Sequence, residues 1–211
     1  MDALTHLAGL WLLPAFTLWG SPITWTEVLA CVLSLWMVGC NMRVHPLGWP
    51  LAIVSSLLYA ALFLHYRLYG EASLQLVFVA LAGWGWWEWL RGHGEDGGRL
   101  TVHRLTQAQR QRALLLTLCT WPLLGWLLHR VTDSDVPYLD ALPTVGSITG
   151  QILLGRKLIE NWPVWIAVNV TSVGLFAYKG LWLTVLLYAL FAGLAAWGWQ
   201  RWRALEGRVH G

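Results

Sequence analysis

The chain has 211 residues, of which 57% are hydrophobic and only 12% charged, and its mean hydropathy is +0.53. Soluble domains carry about a quarter charged residues and do not gather their apolar residues into long spans. This composition excludes a soluble enzyme, a disordered tail and a nucleic-acid module, and the net charge of +3 reports topology rather than an acidic partner.

Residues 1–22 form an apolar N-terminal segment. Its stretch 4–19 contains Pro14 and has no cationic region before it, so it predicts an interfacial or partly inserted helix rather than a cleavable signal. Seven hydrophobic segments follow, at 23–42, 49–68, 73–90, 113–128, 138–154, 162–178 and 181–200. Most run to about 18–20 residues, enough to cross a hydrocarbon layer ~30 Å thick. None alternates with period two, and a backbone in lipid must satisfy its own polar groups, so all seven are predicted helices. Cys31, Cys40 and Cys119 sit in apolar surroundings without a C-x-x-C spacing and are expected to be core or lipid-facing.

Seven spans place the two termini on opposite sides. Arg43, Arg91, Arg99, Arg104, Arg110, Arg112, Arg156, Lys157, Arg201, Arg203 and Arg208 fall on one side, leaving only Arg67, Arg130 and Lys179 on the other. The excess marks the cytoplasmic face, so the N-terminus is expected outside and the C-terminus inside.

The chain also contains itself twice. Trp49-Pro50 recurs as Trp162-Pro163, and Trp84-Gly85-Trp86-x-x-Trp89 recurs as Trp197-Gly198-Trp199-x-x-Trp202, always 113 residues later. The same offset relates Ser34 to Ser147, Arg43 to Arg156 and Leu62-Phe63 to Leu175-Phe176. The organisation read from this is an N-terminal segment (1–22), a three-helix repeat (23–91), and a charged linker with its linker helix (92–136). A second three-helix repeat (137–202) and a cytoplasmic tail (203–211) complete it. A single linker span makes the repeats parallel, which places a substrate site near their interface and points to transport.

Chemistry concentrates in the second repeat. Trp162, Trp165, Asn169, Val173 and Phe176 share one helix face, with Asn169 about 10 Å along the helix from Trp162. An amide at that depth faces a bundle or a wet cavity. It either bonds a neighbouring helix or, beside flat tryptophan faces, reads an aromatic heterocycle. Thr144, Ser147 and Gln151 form a second polar stripe, open to the same two readings, and Ser55 and Ser56 lie near the first-repeat counterpart of Asn169. Gln75 is the repeat counterpart of Tyr188. The Trp-Gly-Trp clusters read as an aromatic belt at the interface. Glu88, and Glu160 beside Arg156 and Lys157, read as interfacial ion-pair partners. No Asp, Glu, Lys or Arg sits at the middle of a span, and no H-E-x-x-H, Cys/His or Ser/His/Asp set can be assembled, so neither an ion relay, a metal, a cofactor nor an enzyme is expected.

The run Arg156-Lys157-x-x-Glu160-Asn161-Trp162-x-x-Trp165-x-x-x-Asn169-Val170-x-Ser172-Val173 resembles the PnuC-type vitamin transporters. So do Leu68-Tyr69, Leu74-Gln75-x-x-Phe78 and Gly85-Trp86-x-x-Trp89. The resemblance implies an all-α membrane protein of seven spans in a 3+1+3 arrangement, SWEET-like but with a different helix order. It further implies a homotrimer and facilitated diffusion of an unphosphorylated vitamin, foremost nicotinamide riboside, feeding NAD biosynthesis. A cytoplasmic kinase that phosphorylates and traps the substrate would supply direction. Gln75, Phe78, Trp162, Trp165 and Asn169 are then the base- and sugar-recognising set, with Gln151, Ser147, Tyr188 and Ser55 as further candidates. Ser55 and Ala82 stand where several nicotinamide riboside members carry Asn, and Trp84 where they carry Tyr. Thiamine, riboflavin or a deoxynucleoside therefore stays open as the substrate, as does a receptor that binds without transporting.

Overall fold

Thr24 starts the first helix with a capping box. Its backbone N–H donates to Glu27 Oε2 (2.7 Å) while Glu27 N–H donates back to Thr24 Oγ1 (3.3 Å). The computed structural model describes residues 13–18, 21–65, 69–94, 97–132, 135–178 and 182–209. Its helices are α1 (Trp25–Met42), α2 (Gly48–His65), α3 (Tyr69–Arg91), α4 (Gln107–Val131), α5 (Pro137–Gly155), α6 (Asn161–Tyr178) and α7 (Trp182–Val209). Each accounts for most of one predicted span; residues 66–68 and 181 of the expected spans lie outside the described residues. α1, α2 and α4 are long and apolar enough to cross a membrane by length and composition.

The N-terminal segment departs from expectation. Pro14–Leu18 (β1) and Ser21–Thr24 (β2) pair antiparallel, with Leu18 opposite Ser21 and Phe16 opposite Ile23. Pro14 and Pro22 cannot donate in a helix, and β-branched Thr17, Ile23 and Thr24 favour a pleated strand, so this part of the expected helix is a hairpin. Residues 1–12 lie outside the described residues.

The chain divides into two compact units, Met1–Trp86 and Trp87–Gly211. In the first, α1 and α2 are joined by Ser34 Oγ and Ser55 Oγ (2.9 Å), and Ser55 Oγ donates to the Ala30 carbonyl (3.2 Å). Trp49 of α2 lies across Gly85 of α3, where a Cβ would overlap the indole. In the second unit, Thr117 of α4 meets Thr149 of α5 (3.1 Å), and Trp121 Nε1 donates to the Tyr138 carbonyl (2.7 Å). α5 and α6 approach closely through Gly146 against Val168 and Gly150 against Trp165, a G-x-x-x-G contact. α7 packs on α6 through Gly198 against Trp162 and Tyr188 against Phe176, whose ring centroids are 5.1 Å apart.

The duplication is written into the backbone. α2 opens at Gly48 and α6 at Asn161, and α1 ends at Met42 and α5 at Gly155, each pair 113 apart. The α1–α2 and α5–α6 corners share a hydrogen-bond pattern, although Arg43 N–H donates to the Cys40 carbonyl and Arg156 N–H to that of Ile152. Val44 N–H donates to the Asn41 carbonyl and His45 N–H to Cys40; Lys157 N–H donates to Leu154 and Leu158 N–H to Leu153. This is the Schellman pattern, which needs a left-handed residue, and Val44 (φ 55°) and Lys157 (φ 54°) supply it without glycine. The source of the corner amide differs as well. Asn41 fills the space that a Cβ on Gly48 would take, whereas in the second copy the amide is on Asn161 itself.

Much apolar surface stays open. Trp25, Trp36, Leu114, Leu115, Leu116, Leu123 and Trp126 are all exposed by half or more. A surface of this kind suits a hydrocarbon solvent rather than water. Cys119 is exposed on α4, Cys31 partly buried and Cys40 buried, all as free thiols.

Candidate substrate site

In the second unit α5 and α6 meet through two glycines of α5. Gly150 rests on the Trp165 indole, with a notional Cβ 3.0 Å from Cε2, and Gly146 rests on Val168. Ser147 and Gln151 follow these two glycines in α5, and Asn169 follows Val168 in α6. Gln151 is 8% and Asn169 6% exposed, yet no hydrogen bond within the described residues engages either amide. Neither amide belongs to the fully buried polar atoms that lack a partner. Trp162 Nε1 and Asn161 Oδ1 are buried without a partner among the described residues, although Asn161 Nδ2 donates to the Leu158 carbonyl (2.6 Å).

The first copy differs in a telling way. Ser34 and Ser55 satisfy each other there; in the second copy Ser55 becomes Val168, packed on Gly146, and Ser147, the counterpart of Ser34, has no such hydroxyl to meet. Ser55 is thus engaged as helix–helix glue, and Thr144 bonds back to the Asp140 carbonyl (3.0 Å). Gln75 and Phe78 are half-buried on α3 in the first unit.

Trp162 is 3% exposed, its ring against Gly198 and edge-on to Trp202 (5.5 Å, 85°). It shapes α6 rather than presenting an open face. Tyr188 stands between Phe176 and Phe191, forming an aromatic group with Phe176 at the far end of the Trp162–Phe176 face. The Trp-Gly-Trp clusters are only partly a belt. Trp87 (55% exposed) and Trp197 (58%) face outward, whereas Trp89 and Trp202 are core; Trp89 Nε1 donates to the Leu154 carbonyl (3.0 Å). The glycines explain the difference: each lets an indole from the neighbouring helix seat against the backbone. Glu160 pairs with Arg110 (2.8 Å), because residues 100–106 lie along the α5–α6 corner and carry α4's first turn to it.

The family model described as "Nicotinamide mononucleotide transporter" matches residues 24–204. The chain belongs to this family. It is a vitamin transporter of the PnuC type, and its relatives are transporters rather than enzymes. The riboflavin/roseoflavin transporter RibM of Streptomyces davaonensis is 28% identical to it over 89% of each chain. The nicotinamide riboside transporter PnuC of Neisseria mucosa is 26% identical, covering 98% of this chain and 84% of its own; that of Escherichia coli is 24% identical over 87% of each. The crystal structure of the vitamin B3 transporter PnuC superposes with a TM-score of 0.71 at 25% identity, over 87% of this chain and 83% of that one.

Proposed function

We propose that the chain carries an unphosphorylated, ring-bearing vitamin, nicotinamide riboside first, across the membrane by facilitated diffusion. The observation that carries this reading is that Gln151 and Asn169, little exposed and without a hydrogen bond among the described residues, lie on the two helices that meet where Gly150 packs on the Trp165 indole. A flat ring stacked on Trp165 with its polar edge toward those amides satisfies both demands. Trp162 and Tyr188 position the helices that present them, and Ser147 offers a further hydroxyl. A second reading, riboflavin, is supported by the 28% identity to a riboflavin transporter and by Ser55 and Ala82 in place of amides.

In this account all seven helices span the membrane as 3+1+3 with parallel repeats, SWEET-like. The recurrence of helix bounds and corner hydrogen bonds at 113 residues supports it. The N-terminus is outside, the C-terminus cytoplasmic, the assembly a homotrimer, and uptake is drawn by intracellular phosphorylation. The direct test is uptake into proteoliposomes of labelled nicotinamide riboside, riboflavin and thiamine. Equilibration of one of them, absent from protein-free vesicles, is expected; binding without uptake would instead make the protein a receptor.

A further inference from the structure

The segment between α3 and α4 is strapped onto the second unit. His103 N–H donates to the Lys157 carbonyl (3.2 Å), Ile159 N–H to the His103 carbonyl (3.0 Å), Lys157 Nζ to the Leu100 carbonyl (2.9 Å), and Leu105 N–H to Glu160 Oε2 (3.2 Å). The strap delivers Arg104 and Arg110 to a cleft of about 350 Å³ between the start of α6 and the end of α7, where Arg203, Glu160, Trp199 and Pro163 complete the wall. Arg104 and Arg203 also border an adjoining cleft of about 460 Å³ beside Glu206.

The charges there do not cancel. Glu206 accepts Arg104 Nε–H (2.7 Å), and Glu160 accepts Arg110 Nε–H (2.9 Å) and Nη2 (2.8 Å). Each guanidinium has five N–H donors, so these pairs fix two forks without saturating them. Arg203 has no carboxylate partner among the described residues and stands 5.6 Å from the Trp199 ring centroid. Three cations thus face two anions across the two adjoining clefts, the first of them next to the positive end of the 18-residue helix α6. Planar guanidinium forks match phosphate oxygens, and an indole beside them matches a ring.

We propose that this cleft binds a phosphate monoester attached to a flat ring, with Arg104, Arg110 and Arg203 on the phosphate and the ring against Trp199 and Pro163. The ligand's identity rests on the reading above: if an unphosphorylated vitamin enters, its phosphorylated form is the ring phosphate gathering on the strap side. The chemistry of the cleft does not rest on it. The test uses the full chain in nanodiscs of zwitterionic lipid, titrated with nicotinamide mononucleotide, flavin mononucleotide and inorganic phosphate. Saturable binding of one mononucleotide, competed by phosphate and weakened tenfold or more in Arg203→Gln and Arg104→Gln, is expected. Affinity for the unphosphorylated vitamin stays unchanged in both variants. Absence of mononucleotide binding, or binding insensitive to both substitutions, overturns the proposal. So does a site that only phosphatidylglycerol in the nanodisc occupies, which makes it a lipid headgroup site. Mononucleotide binding in a protein that binds no unphosphorylated vitamin keeps the cleft and removes the transport reading instead.

Discussion

Trp162 lies across Gly198 on the neighbouring helix, so close that a β-carbon at 198 would overlap its six-membered ring. Trp49 and Gly85 make the same contact 113 residues earlier. The repeated Trp-Gly pair is therefore a helix-packing device, and each glycine is there for the approach rather than for backbone freedom.

Gly85→Ala and Gly198→Ala should each destabilise the protein by ~1–3 kcal/mol, the usual cost of overpacking a filled core. Gly83 and Gly193 lie on the same two helices with no atom near a notional Cβ. Their alanine variants should be neutral or slightly stabilising by helix propensity. Thermal unfolding of the four variants in one detergent checks the contrast.

Lys157 gives a pH signature. Its pKa is lowered, first by burial and then by repulsion from Arg99. Between that lowered value and the ordinary 10.5 the unfolded chain binds more protons, so this group's contribution to stability rises with pH across that window. Compared with Lys157→Met, the wild type should gain in melting temperature as pH climbs toward 10.5. A difference that shrinks over that range would reverse the sign argued here.

Orientation follows from the basic residues gathered at the linker, the α5–α6 corner and the tail. A C-terminal alkaline phosphatase fusion should be inactive, and a reporter active in the cytoplasm should work at the same position. Periplasmic phosphatase activity would invert the topology.

Transport should not depend on an ion gradient, because no carboxylate or amine lies at the middle of a span to bind the ion. Substrate in proteoliposomes should rise to the outside concentration and stop. Accumulation beyond it under an imposed proton or sodium gradient would require a coupling residue outside this account.

The helices were legible because apolar runs in lipid have one solution, and the repeat because Trp and Gly are costly to keep in register by accident. The hairpin at Pro14–Thr24 was not, since short apolar runs with prolines do not announce their pairing partner. α4 begins at Gln107, six residues before its apolar stretch, because the Thr106–Gln109 capping box starts a polar first turn. α7 runs past Gln200 to Val209 for a related reason, since its polar end needs no hydrocarbon. Among candidate site residues, the sequence could place Asn169 well inside its span and Gln151 on a polar stripe with Thr144 and Ser147. It could not show that Ser55 is spent on Ser34 or that Trp162 is covered by Trp202, because both depend on contacts between helices distant in the chain.

The most direct test pairs affinity with stability in Asn169→Leu and Trp165→Ala. If Asn169 meets substrate, the leucine variant strands a buried polar group of the ligand and loses roughly 1–3 kcal/mol, close to tenfold for each 1.4. Trp165→Ala should lose the stacking contact, about 1 kcal/mol beyond its buried area. Calorimetric titration with nicotinamide riboside and riboflavin, beside melting curves of the same samples, should show weakened binding with little change in the Asn169→Leu melting temperature. Wild-type affinity in both variants, with a lowered melting temperature for Asn169→Leu, would make the α5–α6 seam a packing joint and place recognition elsewhere.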